Sequence, residues 1–476
     1  MSAQTGAGTN DHWRGLEKQD QASILHPFTV LKDFAEGRQR PRILTGGKGV
    51  TIRDQDGREL LDGFAGLYCV NIGYGRAEVA EAIARQALEL AYYHSYAGCS
   101  TEALIRLSER LVKMAPGRMS KVFFGLSGSD ANETQAKLVW YYHNLLGRPQ
   151  KKKIIARERG YHGCTVLSGS MTGMSFYHDA MDLPLSIIKR TGVPHYYWGA
   201  RAGETEWAFS QRRADELEQL ILAEGPGTVA AFIGEPALGT GGLIPPPKGY
   251  WAAIQEVLRK YEVLLIADEV VTGFGRTGAM FGCQTYEIEP DLMTLAKGLT
   301  SAYVPMSACL VSEQIFDVMQ RGSERLGAFS HGYTYSGHPL AAAAANAVLD
   351  ITEREDLAGN ALRMGERLRD LLERTFTDHP LVGEVRGVGL MAALEFVAHK
   401  ASRERFEPAL KVGARISAAA LEGGLIARAM PHGDILGFSP PLVINASELD
   451  TLVERTKRAV DRVAEQLERE RLWRPQ

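Results

Sequence analysis

Short apolar runs alternate with longer helical patterns through the middle of the chain. Four runs of this kind lie at 121–124, 153–156, 229–233 and 263–267. Their length and their β-branched and apolar content predict buried strands. The stretches 131–146 and 249–261 predict helices between them, long enough for right-handed crossovers. The pattern therefore predicts a doubly wound α/β sheet within residues 76–339.

The two ends of the chain carry a mixed pattern. Residues 42–62 predict a β-meander with a hairpin turn at Asp56-Gly57. Beyond residue 340 the pattern predicts helices at 360–376, 408–422 and 447–471 and short strands near 385–396 and 435–439. Ser447 is the expected N-cap of the last helix. We expect residues 1–75 and 340–476 to form one smaller α+β domain beside a large domain at 76–339.

Composition is that of an ordinary globular protein. The 476 residues are 45% hydrophobic and 23% charged, with a formal net charge of −3, which excludes collagen, coiled coil and intrinsic disorder. A nearly neutral chain has no bulk attraction to nucleic acid or acidic membranes, and no apolar stretch is long enough to predict a membrane span. We expect neither nucleic acid nor a membrane as a partner.

Cysteine and histidine usage indicates a reduced protein without a metal site. The five cysteines are widely scattered with no C-x-x-C spacing, and the twelve histidines show no metal-binding pairing. The polar N-terminus lacks the apolar core of a signal peptide. These features predict a cytoplasmic location, no disulfide framework and no bound metal.

A Gly/Ser turn follows the first predicted strand. Ser127, Gly128 and Ser129 stand just before the predicted helix, where glycine lets the backbone approach a ligand and serine hydroxyls donate hydrogen bonds. Unpaired amides at the positive end of a helix dipole complete an anion-binding site. Simple capping of the helix by Ser129 or Asp130 is the alternative interpretation of the turn by itself.

Two ionisable residues follow later strands. Asp268 directly follows the run 263–267, and Lys297 follows another strand-like run and precedes Gly298. Taken alone, Asp268 is better explained as a loop carboxylate and Lys297 as a surface lysine. Ligands bind beyond the carboxyl ends of strands in an open α/β sheet, so we expect both residues to lie near the Gly/Ser turn.

The three features together match the requirements of pyridoxal phosphate. Its phosphate needs an anion site, its pyridinium nitrogen needs a carboxylate, and its aldehyde needs an amine. Tyr161, just past the run 153–156, offers an aromatic ring that could stack on the cofactor. The sequence therefore predicts a site for pyridoxal 5′-phosphate.

At this point the chain resembles the class III (ω-type) aminotransferases of fold type I, from about residue 28 to residue 441. The stretches that carry the resemblance are SGSDANET at 127–134, YHG at 161–163, EP at 235–236, DEVVTGFGRTG at 268–278, AKG at 296–298 and HGYTYSGHP at 331–339. The resemblance implies a large cofactor-binding domain with a mostly parallel seven-stranded sheet. It also implies a homodimer with shared active sites, with a homotetramer as the alternative.

The resemblance assigns roles around the cofactor ring. Lys297 would form the Schiff base and then carry a proton as general base and acid, while Asp268 would pair with the pyridine nitrogen. Tyr161 and Val270 would pack on the two faces of the ring. Glu235 would lie near the cofactor's hydroxyl group.

It also assigns the remaining cofactor contacts. The phosphate would be held by Ser127, Gly128 and Ser129 of one protomer, joined by the partner subunit's Tyr333 and the partner subunit's Thr334. His162, in the YHG stretch, would be a further cofactor-binding residue.

The expected substrate contacts are Leu67, Tyr68, Tyr161 and Arg428. The segment 66–75 resembles the pocket-lining segment of ω-amine:pyruvate aminotransferases, although many relatives have Trp where Tyr68 stands. Arg428 resembles a mobile arginine that binds the α-carboxylate of pyruvate or alanine and swings away when an amine without a carboxylate enters. A planar guanidinium suits this role because it meets a carboxylate bidentately.

The expected function is transfer of an amino group from a primary amine or ω-amino acid to pyruvate, in two half-reactions through pyridoxamine phosphate. One alternative is a 2-oxoglutarate-dependent enzyme of the 4-aminobutyrate or ornithine type. Another is a glutamate-1-semialdehyde aminomutase or a racemase, which Arg428 and the segment 67–69 disfavour. A DNA-binding regulator and a nicotinamide dehydrogenase lack their motifs here. The sequence leaves the amine donor open.

Overall fold

The computed structural model describes residues 6–475. Its strands are β1 (Leu44–Lys48), β2 (Thr51–Asp54), β3 (Glu59–Asp62), β4 (Met119–Gly125), β5 (Lys153–Arg157), β6 (Ile188–Thr191), β7 (Val229–Gly234), β8 (Leu264–Asp268), β9 (Leu292–Leu295), β10 (Ser307–Ser312), β11 (Val382–Val388), β12 (Met391–Phe396), β13 (Leu425–Ile426), β14 (Arg428–Ala429) and β15 (Ile435–Phe438).

The helices fill the intervals between the strands. They are α1 (Gly6–Ser23), α2 (Leu31–Ala35), α3 (Ala65–Tyr68), α4 (Ala77–Leu90), α5 (Glu102–Met114), α6 (Gly128–Leu145), α7 (Val166–Met171), α8 (Tyr196–Gly199), α9 (Glu206–Glu224), α10 (Tyr250–Lys260), α11 (Gly282–Thr285), α12 (Glu313–Leu326), α13 (Pro339–Arg354), α14 (Leu357–Phe376), α15 (Val412–Glu422) and α16 (Ala446–Arg469). Single 3₁₀ turns lie at Tyr96–Gly98, Ser175–Tyr177, Pro226–Thr228, Lys297–Leu299 and Pro408–Leu410. Within residues 6–475, no helix is long and apolar enough to cross a membrane.

The central sheet has seven strands in the order β4-β10-β9-β8-β7-β5-β6. Strand β10 is antiparallel to both its neighbours, and the other strands run parallel to one another. Alternate side chains along the strands enter two cores: Ile155 and Phe232 pack with α5, α9, α10 and α13, whereas Ile154 and Ile233 pack with α6, α7 and α12. The expected mostly parallel seven-stranded sheet is confirmed, and both of its faces are covered by helices, as such sheets require.

Two further sheets are built from the ends of the chain. The meander β1-β2-β3, with its turn at Asp56-Gly57, continues into β13 through a parallel pairing with β3. The other sheet has the order β11-β12-β15-β14. Segments from both ends therefore share one sheet, while the division at residues 75/76 and 339/340 stays a prediction.

Two details of the expected helices are wrong. The last helix is capped by Asn445 and not by Ser447, because Asn445 and Glu448 exchange side-chain to backbone hydrogen bonds of 2.8 and 3.0 Å in a capping box. The expected helix 408–422 is interrupted at Lys411, whose φ of 48° lies in the left-handed region. The helix after β4 is capped by Ser127, so the alternative interpretation of this turn, capping by Ser129 or Asp130, does not hold.

Candidate active site

A cavity of about 300 Å³ opens where β4, β5, β7, β8 and β9 end. It is lined by nine of the expected site residues: Ser127, Gly128, Ser129, Tyr161, His162, Glu235, Asp268, Val270 and Lys297. The parallel strands bring these residues together because their carboxyl ends meet at one edge of the sheet. Their individual chemical roles stay predictions.

The N-terminus of α6 forms one end of the cavity. The Ser127 hydroxyl accepts a hydrogen bond from the Asp130 amide at 3.2 Å, and the Asp130 carboxylate accepts one from the Leu126 amide at 2.9 Å. The next amides, of Gly128 and Ser129, stand in the first turn, where helix amides have no intrahelical partner. A Cβ on Gly128 would lie 3.0 Å from a Val270 methyl group, so Val270 closes tightly on this turn. The turn can thus hold an anion beside an apolar wall.

Asp268 is a buried carboxylate, 3% exposed, whose oxygens accept three hydrogen bonds. Asn132 Nδ2 and His162 Nδ1 each lie 2.8 Å from Oδ2, and the Val270 amide lies 3.1 Å from Oδ1. These bonds fix the orientation of the carboxylate at the cavity wall. His162, the middle residue of the YHG stretch, therefore contacts Asp268 directly.

Asn132 is a site residue to which sequence reasoning gave no role. Its amide donates to the His162 carbonyl at 2.7 Å as well as to Asp268, and its Oδ1 accepts from Thr294 Oγ1 at 2.8 Å. The residue lies four positions after Gly128, on the helix face that carries the anion site. That spacing was the available signal.

Lys297 begins the 3₁₀ turn directly after β9 and has a φ of 42°. The conformation is costly for a residue with a side chain, and such strain is typical of functional sites. The following Gly298 has no room for a Cβ, which would lie 2.5 Å from Asn71 Nδ2.

Burial raises the pKa of the Cys69 thiol in the same cavity, although the charges of Lys297 and Arg276 oppose the rise.

Glu235 and Tyr161 form a second wall. The Glu235 carboxylate accepts hydrogen bonds from the Tyr161 amide at 3.0 Å and the Gly239 amide at 2.7 Å, and burial raises its pKa. The Tyr161 ring lies 5.3 Å from the Tyr177 ring, which in turn lies 5.3 Å from the Phe28 ring. Sequence reasoning missed Tyr177 and Phe28, which belong to none of the motifs and lie far apart in the chain.

The expected substrate residues Leu67 and Tyr68 lie in a strained turn. Ala65, Leu67 and Tyr68 have φ values of 48°, 138° and 65°, and the Asp62 carboxylate holds the turn by accepting from the Phe64 amide at 2.9 Å. Tyr68 is buried and Leu67 is 45% exposed, and neither lines the cavity of the single chain.

Arg428 lies on β14, with its guanidinium 5.6 Å from the centre of the Phe64 ring. Burial raises the pKa values of Tyr68 and Tyr161, and the charge of Arg428 opposes both rises. The half-buried arginine therefore lies near both tyrosines, although it does not itself line the cavity of the single chain.

Tyr333 and Thr334 do not line the cavity of their own chain. The Tyr333 hydroxyl donates to the Asp130 carbonyl at 3.0 Å, and the exposed Thr334 accepts a bond from the Tyr92 hydroxyl through its carbonyl at 2.5 Å. The loop is thus anchored on α6 with Thr334 facing outward.

The donor set of the cavity fits pyridoxal 5′-phosphate. Helix amides and serine hydroxyls are available for a phosphate, a buried carboxylate for a ring nitrogen, and a lysine amine for an aldehyde. Tyr161 and Val270 offer apolar surfaces to a flat ring between these groups.

Comparison with known proteins gives the same assignment. The family Aminotransferase class-III matches residues 34–460. The chain is 65% identical to an uncharacterised aminotransferase of Sinorhizobium fredii, over 96% of this chain and 98% of that protein. It is 58% identical to the diaminobutyrate–2-oxoglutarate transaminase of Halomonas elongata, over 96% and 98%. The crystal structure of an ω-transaminase of Pseudomonas jessenii in complex with PMP matches with a TM-score of 0.93 and 45% identity, over 95% of this chain and 99% of that one.

The family match covers most of the chain, and the cavity carries the groups that its cofactor needs. On both grounds the chain belongs to the class III aminotransferases, transaminases of fold type I that use pyridoxal 5′-phosphate.

Proposed function

We propose that the enzyme moves an amino group from a primary amine or ω-amino acid to pyruvate, with the donor product leaving before pyruvate binds. The observation that carries the proposal is Arg428, whose charge acts on Tyr68 and on Tyr161, and Tyr161 lines the cavity that holds Lys297. The 45% identical Pseudomonas jessenii protein, named an ω-transaminase, supports the same activity.

Residues of the chain supply positioning and proton transfer. Pyridoxal phosphate, when bound, stabilises the electron pair released at the substrate carbon. Lys297 Nζ takes the proton from that carbon and returns it elsewhere, as a general base and acid. Asp268, fixed by its three donors, holds the proton on the ring nitrogen. Tyr161 and Val270 exclude water from the two ring faces.

Arg428 serves the carboxylate of the acceptor. A buried carboxylate without a partner is costly, and a guanidinium can meet it with two parallel hydrogen bonds. A donor amine without a carboxylate gains nothing from this contact. Arg428 therefore separates recognition of pyruvate from recognition of the amine.

We further propose a homodimer in which the partner subunit's Thr334 completes the phosphate site. Exposed large hydrophobic side chains lie near the loop that carries this residue: Tyr92, Tyr96, Ile105, Phe329 and Tyr335. Contiguous apolar surface marks protein–protein contacts. A tetramer would require a further contact between dimers.

A reducing, cytoplasmic environment is our proposal for the location. All five cysteines are free, and Cys164 is exposed. Free exposed thiols are typical of proteins kept in reducing compartments.

A 2-oxoglutarate-dependent ω-amino acid transaminase is the second candidate. The diaminobutyrate–2-oxoglutarate transaminase at 58% identity favours it. This acceptor has a second carboxylate, which would need a cation beyond Arg428.

Competition between acceptors tests the proposal. The holoenzyme would be mixed with an arylalkyl amine, 4-aminobutyrate or 2,4-diaminobutyrate and with pyruvate or 2-oxoglutarate, and amino acid products would be measured. We expect kcat/KM for pyruvate to exceed that for 2-oxoglutarate by about tenfold or more. The reverse preference would select the second candidate, and transfer to neither acceptor would refute both. Lys297→Ala is the inactive control.

A further inference from the structure

A group of buried charges lies outside the cavity, where β11 and β12 approach the loop after β7. Arg386 is 7% exposed, and its Nη1 lies 2.7 Å from a carboxylate oxygen of both Glu384 and Glu395. Glu395, 2% exposed, also accepts a hydrogen bond from Trp198 Nε1 at 2.8 Å. The mechanism uses none of these residues, so their burial needs another reason.

The other side of the Arg386 guanidinium covers a tight turn. Arg386 Nη2 and Nε lie 2.6 and 3.1 Å from the Gly242 carbonyl, and Nε lies 3.2 Å from the Leu243 carbonyl. Arg159 Nε donates to the preceding Gly241 carbonyl at 2.8 Å. Two buried guanidinium groups therefore hold three successive carbonyls of the turn.

The turn has no space for side chains at its two glycines. A Cβ on Gly241 would lie 2.1 Å from the Arg159 carbonyl oxygen. Gly242 has a φ of 132°, and a Cβ there would lie 2.6 Å from Arg159 Nη2. Glycine at positions 241 and 242 is thus required by the close approach of Arg159.

The inner side of the same turn supports Glu235, which lines the cavity, although the turn itself does not line it. The Gly239 amide donates to the Glu235 carboxylate at 2.7 Å. Thr240 lies beside the Tyr68 hydroxyl, and Leu243 packs in one apolar cluster with Tyr68. A shift of the turn would therefore move the surroundings of Tyr68 and Glu235.

The cluster does not suit a cation. His195, Glu384 and Glu395 are close enough together to hold a metal ion. However, Arg386 contacts both carboxylates, and Arg159 Nη1 lies 3.3 Å from His195 Nδ1. A metal ion would have to enter beside two buried positive charges, whereas the carboxylates are well placed to neutralise and orient Arg386.

We propose that Arg386, held by Glu395, is a positioning residue that fixes the turn 239–243 and thereby sets the width of the amine pocket at Tyr68. The proposal rests on the proposed function, since it takes Tyr68, an expected substrate contact, as part of the wall that meets the donor amine. Lysine cannot replace this arginine, because a single ammonium group cannot span the carboxylates and the carbonyls at once.

The test compares Arg386→Lys with a matched control, Arg110→Lys. Arg110 also lies between carboxylates and a backbone carbonyl, with Nη1 at 2.7 Å from Asp350 and 3.1 Å from the Asn346 carbonyl, but on α5 and away from the pocket. The first readout is hydrogen exchange of peptide 235–249 in the protein without cofactor. The second is the ratio of kcat/KM for a small aliphatic amine to that for an arylalkyl amine.

We expect exchange of the paired Leu238 and Ile244 amides to accelerate about tenfold in Arg386→Lys and to stay unchanged in Arg110→Lys. The amine selectivity ratio should change about threefold or more. Unchanged exchange, or an equal loss of kcat/KM for both amines, would overturn the proposal. Should Arg386→Lys fail to fold, Glu395→Gln, which keeps the guanidinium but removes its partner's charge, must move both readouts in the same direction.

The two proposals fail in different ways. If the wild-type enzyme transfers amino groups from neither amine, the proposed function is wrong, while the exchange arm still decides whether Arg386 fixes the turn. If both amines react but the exchange and the selectivity of the variants equal those of the wild type, only the positioning role is wrong.

Discussion

Replacing Asp268 with Asn tests the part of the site with the best-defined geometry. Oδ2 accepts from Asn132 Nδ2 and His162 Nδ1, while Oδ1 accepts from the Val270 amide. Asparagine has one acceptor oxygen and one donor group in these positions. In either orientation its NH₂ group therefore faces at least one buried donor, and the charge opposite the cofactor nitrogen is lost.

Both losses have estimable sizes. A buried donor left without a partner costs about 1–3 kcal/mol of stability. Loss of the protonated ring nitrogen should raise the barrier by about 3 kcal/mol or more, a rate loss on the order of 10²-fold or greater. We therefore expect a large loss in the rate of the first half-reaction, together with a modest decrease in the midpoint temperature of thermal unfolding.

The assay is the single-turnover rate with amine in excess, together with thermal unfolding with and without cofactor. Asp291→Asn is the matched control, because Asp291 is a largely buried carboxylate at the start of β9 that accepts from the Leu265 amide at 2.8 Å and does not line the cavity. It should lower stability without changing the rate per bound cofactor. A near-wild-type rate in Asp268→Asn would show that this carboxylate does not serve the ring nitrogen.

Four other expectations follow from the site and its surroundings. Borohydride should no longer attach the cofactor covalently to Lys297→Ala; peptide mapping that finds another labelled lysine in the wild type would contradict the assignment. Arg428→Ala should raise KM for pyruvate roughly 10- to 100-fold and the amine half-reaction constants about threefold or less, and equal losses would make Arg428 structural. Light scattering should find a dimer, and Thr334→Ala should release cofactor faster; an active monomer would contradict shared sites. Burial lowers the pKa of His143 to about 4, so the unfolded chain binds the proton more readily and stability falls as pH drops below about 6.5. His143→Gln can still donate to the Ala230 carbonyl, and it should reduce the pH dependence of the unfolding free energy below about pH 6.5 by up to about 1.4 kcal/mol per pH unit. Urea unfolding at several pH values measures this slope, and an unchanged slope would exclude this histidine as the cause.

Burial alone does not decide which strands could be predicted. Every residue of β7 and β8 is buried, and both were predicted because their sequences are apolar except for Asp268 at the end of β8. The edge strand β6, IKRT, carries polar residues, which the edge of a sheet tolerates, and it was not expected. Strand β10, SACLVS, is fully buried as well, but a serine stands at each end of its short apolar run, and it was not expected either.

Some site residues could be found from the sequence and others could not. Asp268 and Lys297 could be found because they lie at or just beyond the end of a strand, and strand ends mark the ligand edge of the sheet. Asn132 carries a weaker signal, its spacing from Gly128. Tyr177 lies in a 3₁₀ turn, and its ring reaches Tyr161 because of the path that the intervening loop takes. No local sequence pattern encodes that path.

The most recognisable motif is in large part structural. Within the run 268–278, Asp268 lines the cavity, whereas Arg276 is fully buried. Arg276 donates to Asn71 Oδ1 at 2.9 Å and to the Leu390 and Pro440 carbonyls at 3.1 and 2.5 Å. Burial lowers its pKa to about 9, and these three acceptors offset part of the cost of burying the guanidinium.

A motif that both lines the cavity and packs in the core identifies the fold and the cofactor, because the geometry of the site depends on it. On the proposed function, the choice of amine depends on residues outside that motif. Tyr68 lies in a turn strained by its own φ, Thr240 lies in a loop held by Arg386, and Arg428 lies on a two-residue strand of another sheet. Packing between distant parts of the chain sets the relative positions of these segments, and no local pattern encodes it. For that reason the family of this chain is evident from its sequence, whereas its donor must be measured.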